Sequence, residues 1–344
     1  MRAVVYEHFQ GPVSVADVAS PKPGRGEVTI DVRATGICRS DWHGWQGHDP
    51  DIRVLPHVPG HEMAGVIAMV GPEVAGWEAG DRVTVPFVTG CGECSICLAG
   101  DPQVCPNQSQ PGFTHWGSFA ERVTIKHAQH NLIRLPDQIG FVEAAVVGCR
   151  STTAYRAVVQ QGRVKSDEWV AVYGCGGVGL SAVMIAAALG AKVVAVDNNP
   201  KALEWAIRHG AAAAIEPGGE LAAQVIEASD GGTHVGIDAL GHPDLVRASM
   251  NALRRRGRHI QVGLLVGDAS PTRIRLDRLI AHELEIVGSH GIAAAAIPEF
   301  FDLVLKNDLD LRSLVSREMS LTEGAERLEH YTENTEPGVA VITP

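Results

Sequence analysis

Residues 169–197 read WVAVYGCGGVGLSAVMIAAALGAKVVAVD, and this stretch decides the fold. Trp169-Val170-Ala171-Val172-Tyr173 is a short apolar run that stops at glycine, as a buried strand does. From Val178 to about Leu189 the chain is Ala-rich and predicts a helix. Lys192-Val193-Val194-Ala195-Val196 then predicts a second strand. Strand, helix, strand implies a parallel pair joined by a right-handed crossover. Between the first strand and the helix, Gly174-Cys175-Gly176-Gly177-Val178-Gly179 fits G-x-G-x-x-G in the context that motif requires. Gly174, Gly176, Gly177 and Gly179 permit a tight turn and let backbone N–H groups approach a pyrophosphate, with the partial positive charge of a helix N-terminus behind them. An ordinary glycine-rich turn is the competing reading, and the strand-to-helix position disfavours it. Asp197 closes the second strand 18 residues after Gly179. A carboxylate there accepts from both ribose hydroxyls and repels a 2′-phosphate, so NAD is expected over NADP. As the alternative, Asp197 only caps a turn.

Working outward, 202–209 predicts a helix, and 212–215, 235–239, 257–262 and 285–288 predict strands. An open doubly wound sheet accounts for all of them. Upstream, the Val/Ile/Thr runs 27–32, 65–70 and 81–85 are broken by Gly and Pro and suit a small barrel or bent sheet. From about Ile292 helix resumes, and 338–342 reads as a strand that returns to the first domain. The expectation is an α/β protein: a β-rich catalytic domain over 1–153, a dinucleotide-binding domain over 154–290, and a return over 291–344.

Composition sets bounds on function. The chain has 344 residues, 45% hydrophobic and 20% charged, which is a globular balance. A formal net charge of −11 repels phosphate backbones and disfavours a nucleic-acid partner. No run of about 18 apolar residues predicts a membrane span. The opening Met1-Arg2-Ala3-Val4-Val5-Tyr6-Glu7 turns acidic at once, unlike a signal segment. A cytoplasmic location is therefore expected, where seven cysteines serve as metal ligands or reactive thiols rather than as disulfides.

Cys91, Cys94, Cys97 and Cys105 stand at C-x2-C-x2-C-x7-C. Four close thiolates suit tetrahedral zinc with no spare position, a site that holds a loop. An iron–sulfur cluster is the rival, but its bacterial pattern continues x3-C-P, whereas here seven residues precede Cys105-Pro106. A nucleic-acid knuckle would need a basic face, and 91–105 carries Glu93 and Asp101 with no Lys or Arg. Cys38, His61, Glu62 and Cys149 are dispersed, and spacing alone does not unite them.

The chain resembles the medium-chain zinc-dependent alcohol dehydrogenases along nearly its whole length. The resemblance rests on Cys38-Arg39-Ser40-Asp41, Gly60-His61-Glu62, Gly80-Asp81-Arg82-Val83, the four-cysteine lobe, Gly148-Cys149 and the glycine loop, all in family order. It implies a GroES-like catalytic domain beside a Rossmann domain, with NAD and two zinc ions per chain, one catalytic and one structural. Cys38, His61 and Cys149 would bind the catalytic zinc and leave one position open for a substrate oxygen. Glu62 would be a nearby carboxylate able to enter the coordination shell, and Asp41 the carboxylate that orients His61. Zinc would lower the pKa of an alcohol whose carbon passes hydride to the nicotinamide. Ser40 would bond the substrate oxygen, and His43 would carry the proton to water through a ribose hydroxyl. The competing readings are an N-cap for Ser40 and a surface histidine for His43. Arg39 resembles the family's pyrophosphate contact, Thr153 and Val178 its nicotinamide contacts, and Phe87 a substrate-pocket position. Trp45 and Trp116 are further candidates for that pocket, and the loop around Phe113 for its entrance.

Two departures from the family pattern stand out. Many members carry a basic residue near the last strand that touches cofactor phosphates, and Glu336-Pro337-Gly338-Val339-Ala340 has none. Polyol dehydrogenases of the family often use a glutamate where this chain has Cys149, which points to simple primary or secondary alcohols. A polyol, amino-alcohol or formaldehyde-processing dehydrogenase is the nearest alternative. The family forms homotetramers or homodimers, and its partners are small alcohols, aldehydes and ketones.

Overall fold

The computed structural model describes residues 1–265, 272–333 and 336–344. The chain divides into two compact units: Met1–Thr152 with Gly291–Thr335 and Val339–Pro344, and Thr153–His290 with Glu336–Gly338.

In the second unit, six parallel strands run in the spatial order Ala211–Ile215, Lys192–Val196, Trp169–Tyr173, Thr233–Asp238, Leu253–Gln261 and Glu285–Gly288. In chain order this is 3-2-1-4-5-6, the doubly wound arrangement, whose reversal lies beside Trp169–Tyr173. Strands covered on both faces must be apolar throughout, which explains why Val170 to Tyr173 and Val193 to Val196 are continuous hydrophobic runs, all fully or almost fully buried. The helix Gly177–Ala188 buries every residue from Gly179 to Ala186, so its alanines give close approach rather than a polar face. The strand expected over 257–262 begins earlier, at Leu253. A register shift between Thr233 and Val235 accommodates the extra residues, and Arg254 anchors the shifted end on the carbonyl of Gly232.

The first unit is built on a seven-stranded, mostly antiparallel sheet. Its central strands, Val28–Gly36 and Met63–Val70, pair with each other; Arg122–Ile125 also joins Val28–Gly36. Val28, Ile30, Met63, Ile67, Val83, Val123 and Ile125 close its core. Each such side chain contributes about 1.5–3 kcal/mol on burial. The tail returns here: Val339–Ile342 pairs antiparallel with Val28–Gly36 and parallel with Val315–Met319. Val28–Gly36 ends just before Cys38, and Met63–Val70 begins just after Glu62, so one pair of neighbouring strands delivers both segments to one end of the sheet. Among the described residues, no helix is long and apolar enough to cross a membrane.

Candidate metal centres and dinucleotide loop

Three distant segments converge in the first unit. The ligand atoms of Cys38, His61 and Cys149 all lie within 4.8 Å of one another. Asp41 ties the first two segments together. Its Oδ2 accepts the Cys38 backbone N–H at 2.8 Å, and its Oδ1 accepts the His61 ring Nδ1–H at 2.8 Å and the Gly60 N–H at 3.1 Å. That bond fixes the tautomer of the neutral ring, whose lone pair lies on Nε2; this nitrogen is buried and has no hydrogen-bond partner. Burial pulls the His61 imidazole down, but Asp41 beside it outweighs burial and holds it well above its ordinary value. The two thiols behave as one proton-sharing pair. A hydrogen bond from Cys149 drives Cys38 well below its ordinary value, and the same bond together with burial drives Cys149 up. Two sulfurs and an unpartnered imidazole nitrogen form a donor set that fits zinc and leaves a fourth corner free.

Cys149 rides on a π turn, Val147–Ser151, a widened helical turn that leaves backbone N–H groups without intrahelical partners. The N–H groups of Cys149 and Arg150 point instead to Glu62 Oε1, at 3.3 and 3.0 Å. The Arg150 guanidinium donates to Glu62 Oε2 and to the Ile37 carbonyl. Both carboxylate oxygens of Glu62 are therefore engaged by Arg150 and the π turn. Burial raises the Glu62 carboxyl, against the pull of Arg150.

Ser40 Oγ lies 3.8 Å from Cys38 Sγ on the short helix Arg39–Trp45. His43, on the same helix, is half-buried, and Arg39 is exposed and pairs with no carboxylate among the described residues. Phe87 stands edge-on to His61, ring centroids 6.2 Å apart. The loop side is closed by Phe113, 5.4 Å from His61. Trp45 and Trp116 are not pocket walls. Trp45 is buried with Tyr6 and Leu328, its indole N–H bonded to the Gly11 carbonyl at 2.9 Å. Trp116 packs beside Ala3, Val5, Val58 and Ala120, with its N–H on the Pro56 carbonyl at 3.0 Å. In both, a bulky ring with one donor found a backbone carbonyl, Trp45 in the core and Trp116 at its partly exposed edge.

The four-cysteine lobe is separate. Its sulfurs lie 3.5, 3.7 and 3.9 Å apart for Cys91–Cys105, Cys94–Cys105 and Cys91–Cys97. A tetrahedron of thiolates around zinc has an edge of ~3.8 Å, from a Zn–S distance of about 2.3 Å. Backbone N–H groups of Cys97 and Asn107 point at Cys94 Sγ and Cys105 Sγ, at 3.4 and 3.3 Å. All seven cysteines are free thiols.

In the second unit, Gly174 turns with φ +89°, and a Cβ at Gly179 would stand 1.8 Å from the Gly174 carbonyl oxygen. The helix beginning at Gly177 has no side chain capping its N-terminus, so its first N–H groups remain available at the loop. Asp197 accepts the Cys175 N–H at 2.6 Å and the Asn199 N–H at 2.8 Å, which fixes it beside the loop. Thr153 Oγ1 is buried with no hydrogen-bond partner. Val178 is half-buried at the helix start.

The sequence reading assigned no role to Arg150 or His48, and gave Phe113 only a place in a loop at the entrance. Arg150 adjoins a candidate ligand, a buried cation that only a partner carboxylate could explain. The His48 signal is its repetition five residues after His43.

Residues 24–137 match the model of the alcohol dehydrogenase GroES-like domain, and 177–306 that of the zinc-binding dehydrogenases. An alcohol dehydrogenase of Geobacillus stearothermophilus is 38% identical over 265 residues, covering 77% of this chain and 78% of the relative. Among solved structures, the alcohol dehydrogenase of the archaeon Aeropyrum pernix superposes with a TM-score of 0.88 at 31% identity, covering all of both chains. An alcohol dehydrogenase of E. coli CFT073 complexed with NADH gives a TM-score of 0.89 at 25% identity, over 100% of this chain and 99% of the other.

Proposed function

From the premise that this chain belongs to the zinc-dependent alcohol dehydrogenases, we propose that Cys38, His61 and Cys149 hold its catalytic zinc for reversible oxidation of a primary or secondary alcohol. It is an NAD-dependent alcohol oxidoreductase. The observation that carries the site assignment is the buried His61 Nε2, unpartnered and facing two thiol sulfurs. When bound, zinc supplies a Lewis acid that makes an alcohol acidic near neutral pH, and NAD supplies the hydride acceptor.

The chain's own residues do the rest. Asp41 aims the imidazole, and Phe87 and Phe113 keep water from its face. Ser40 Oγ takes the hydroxyl proton and gives up its own through a ribose hydroxyl of the cofactor to His43. The glycine loop, Arg39 and the helix N-terminus hold the pyrophosphate, Asp197 the ribose, and Thr153 and Val178 the nicotinamide end. Asp197 favours NAD over NADP because it would oppose a 2′-phosphate. Cys91, Cys94, Cys97 and Cys105 hold a second, structural zinc. A reducing compartment, the cytoplasm, suits seven free thiols. We also propose self-assembly, as a dimer or tetramer, through the edge strand Glu285–Gly288, which pairs on one side only among the described residues and exposes Ile286; Leu276 and Ile280 of the preceding helix are exposed as well.

NAD and NADP reduction across primary, secondary, aromatic and polyol alcohols tests this reading. Simple alcohols with NAD should give the highest kcat/KM. Polyol turnover above that of every simple alcohol would replace the proposed substrate class, and preference for NADP would remove the role given to Asp197.

A further inference from the structure

We propose that His48, through His43, forms the exit of the proton path, a two-imidazole wire ending in solvent. The inference rests on the function proposed above. The backbone builds the pair deliberately. The helix Arg39–Trp45 ends in the full two-bond glycine turn: the His48 N–H bonds the His43 carbonyl at 3.0 Å, and the Gly47 N–H bonds the Gly44 carbonyl at 3.0 Å, with Gly47 at φ +79°. That turn brings the residue after the glycine back over the residue three before the cap, a contact usually made by two apolar side chains. Here it is made by two imidazoles. His43 Nδ1 and His48 Nδ1 are 3.0 Å apart, with ring centroids at 5.3 Å, and the Trp42 ring lies edge-on to both.

A bond between two Nδ1 atoms holds one proton, so one ring donates and the other accepts. With His43 donating, its Nε2 carries a free lone pair. A proton taken up there is matched by transfer of the bridging proton from His43 Nδ1 to His48 Nδ1, and by release of the His48 Nε2 proton to water. One proton enters, one leaves, and both rings end neutral; before the next turnover each half-buried or exposed ring returns to its starting tautomer by exchanging its own protons with water, because resetting through the shared bond would reverse the flow. His48 is exposed while His43 is half-buried, so the wire runs from inside to outside. The charged groups acting on His43 are Arg39 on its own helix, His48 on the turn, and Cys38. Burial first, then Arg39 and His48, lower its pKa, against Cys38, which keeps it free to accept.

The test uses the zinc-loaded enzyme with a simple alcohol in dilute, non-imidazole buffer. His48→Ala should lower kcat for alcohol oxidation about tenfold, below the roughly 10²–10⁴-fold of a group that acts on the reacting atoms because His48 only completes the relay, and added imidazole should restore it. In 15N spectra, wild-type His43 and His48 should titrate as a coupled pair, and His48→Gln should shift the His43 curve. A kcat unchanged in His48→Ala, a loss that imidazole does not relieve, or a His43 titration indifferent to His48→Gln overturns the wire. A wild type that oxidises no alcohol removes the functional reading and the wire together. An active wild type beside a His48→Ala enzyme insensitive to buffer removes the wire alone.

Discussion

The two cysteine-based centres of the first unit solve opposite problems. The lobe gathers four thiols from fifteen consecutive residues, 91–105, a full donor set for one tetrahedral ion. The other centre gathers two thiols and an imidazole from segments spread over 38–149, and stops at three. A closed set can only hold a loop; an incomplete set can exchange a ligand. Beside it, Glu62 has other partners. A carboxylate that could have been a fourth donor is locked by Arg150 and a π turn. The difference teaches that catalytic competence here lies in the groups that restrain neighbours of the ligands as much as in the ligands themselves.

The largest expected effect breaks the open centre. Cys38→Ser should lower kcat/KM by about a thousandfold or more, the scale of a lost Lewis acid, with NADH binding by fluorescence retained. The matching change in the closed centre, Cys97→Ser, should lower Tm by roughly 10 °C while the protein that remains folded keeps its kcat. If the two variants lost the same property, the division of labour would be wrong.

A third prediction concerns acid. Burial, together with the nearby Lys126, lowers His115 to about 4, and burial also lowers His57. His115 and His57 each donate an Nε2–H, to the Thr124 and Gly112 carbonyls respectively, around the loop that carries Phe113. A histidine depressed in the folded state binds fewer protons there than in the unfolded chain. Its stabilisation is full above pH ~6.5 and is lost as pH falls toward 4, on the order of 3 kcal/mol for His115. His115→Asn should flatten the fall of stability between pH 6.5 and 4, measured by denaturant unfolding. An unchanged slope would mean that the ring titrates normally.

The smallest effect is the most specific. Asp41→Asn keeps the shape but weakens the hold on the His61 tautomer, and should cost about 10–100-fold in zinc affinity at the open centre alone. Equal loss from the lobe would show that Asp41 supports the whole unit rather than one imidazole.

The same contrast explains what was legible in the sequence. The doubly wound sheet could be read because a glycine loop between two apolar strands is a local signal, and so could the lobe, because its ligands share one short segment. The open centre could not be assembled from spacing and came through the resemblance; its geometry depends on strands Val28–Gly36 and Met63–Val70 lying side by side. Trp45 and Trp116 misled because an aromatic near a site in sequence carries no information on which way its ring turns. The partner of Glu62, Arg150, was not legible because it lies 88 residues away. The early start of the strand at Leu253 was hidden by three arginines, residues that do not announce a strand.

Counting metal in purified wild type, Cys38→Ser and Cys97→Ser, with X-ray absorption at the zinc edge, tests the contrast most directly. Two ions per chain are expected in wild type, one for each cluster. Cys38→Ser should keep one ion surrounded by sulfur alone, and Cys97→Ser one with mixed sulfur and lighter donors. A Cys38→Ser protein whose remaining zinc shows mixed donors, or a wild type with a single all-sulfur ion, would contradict the account.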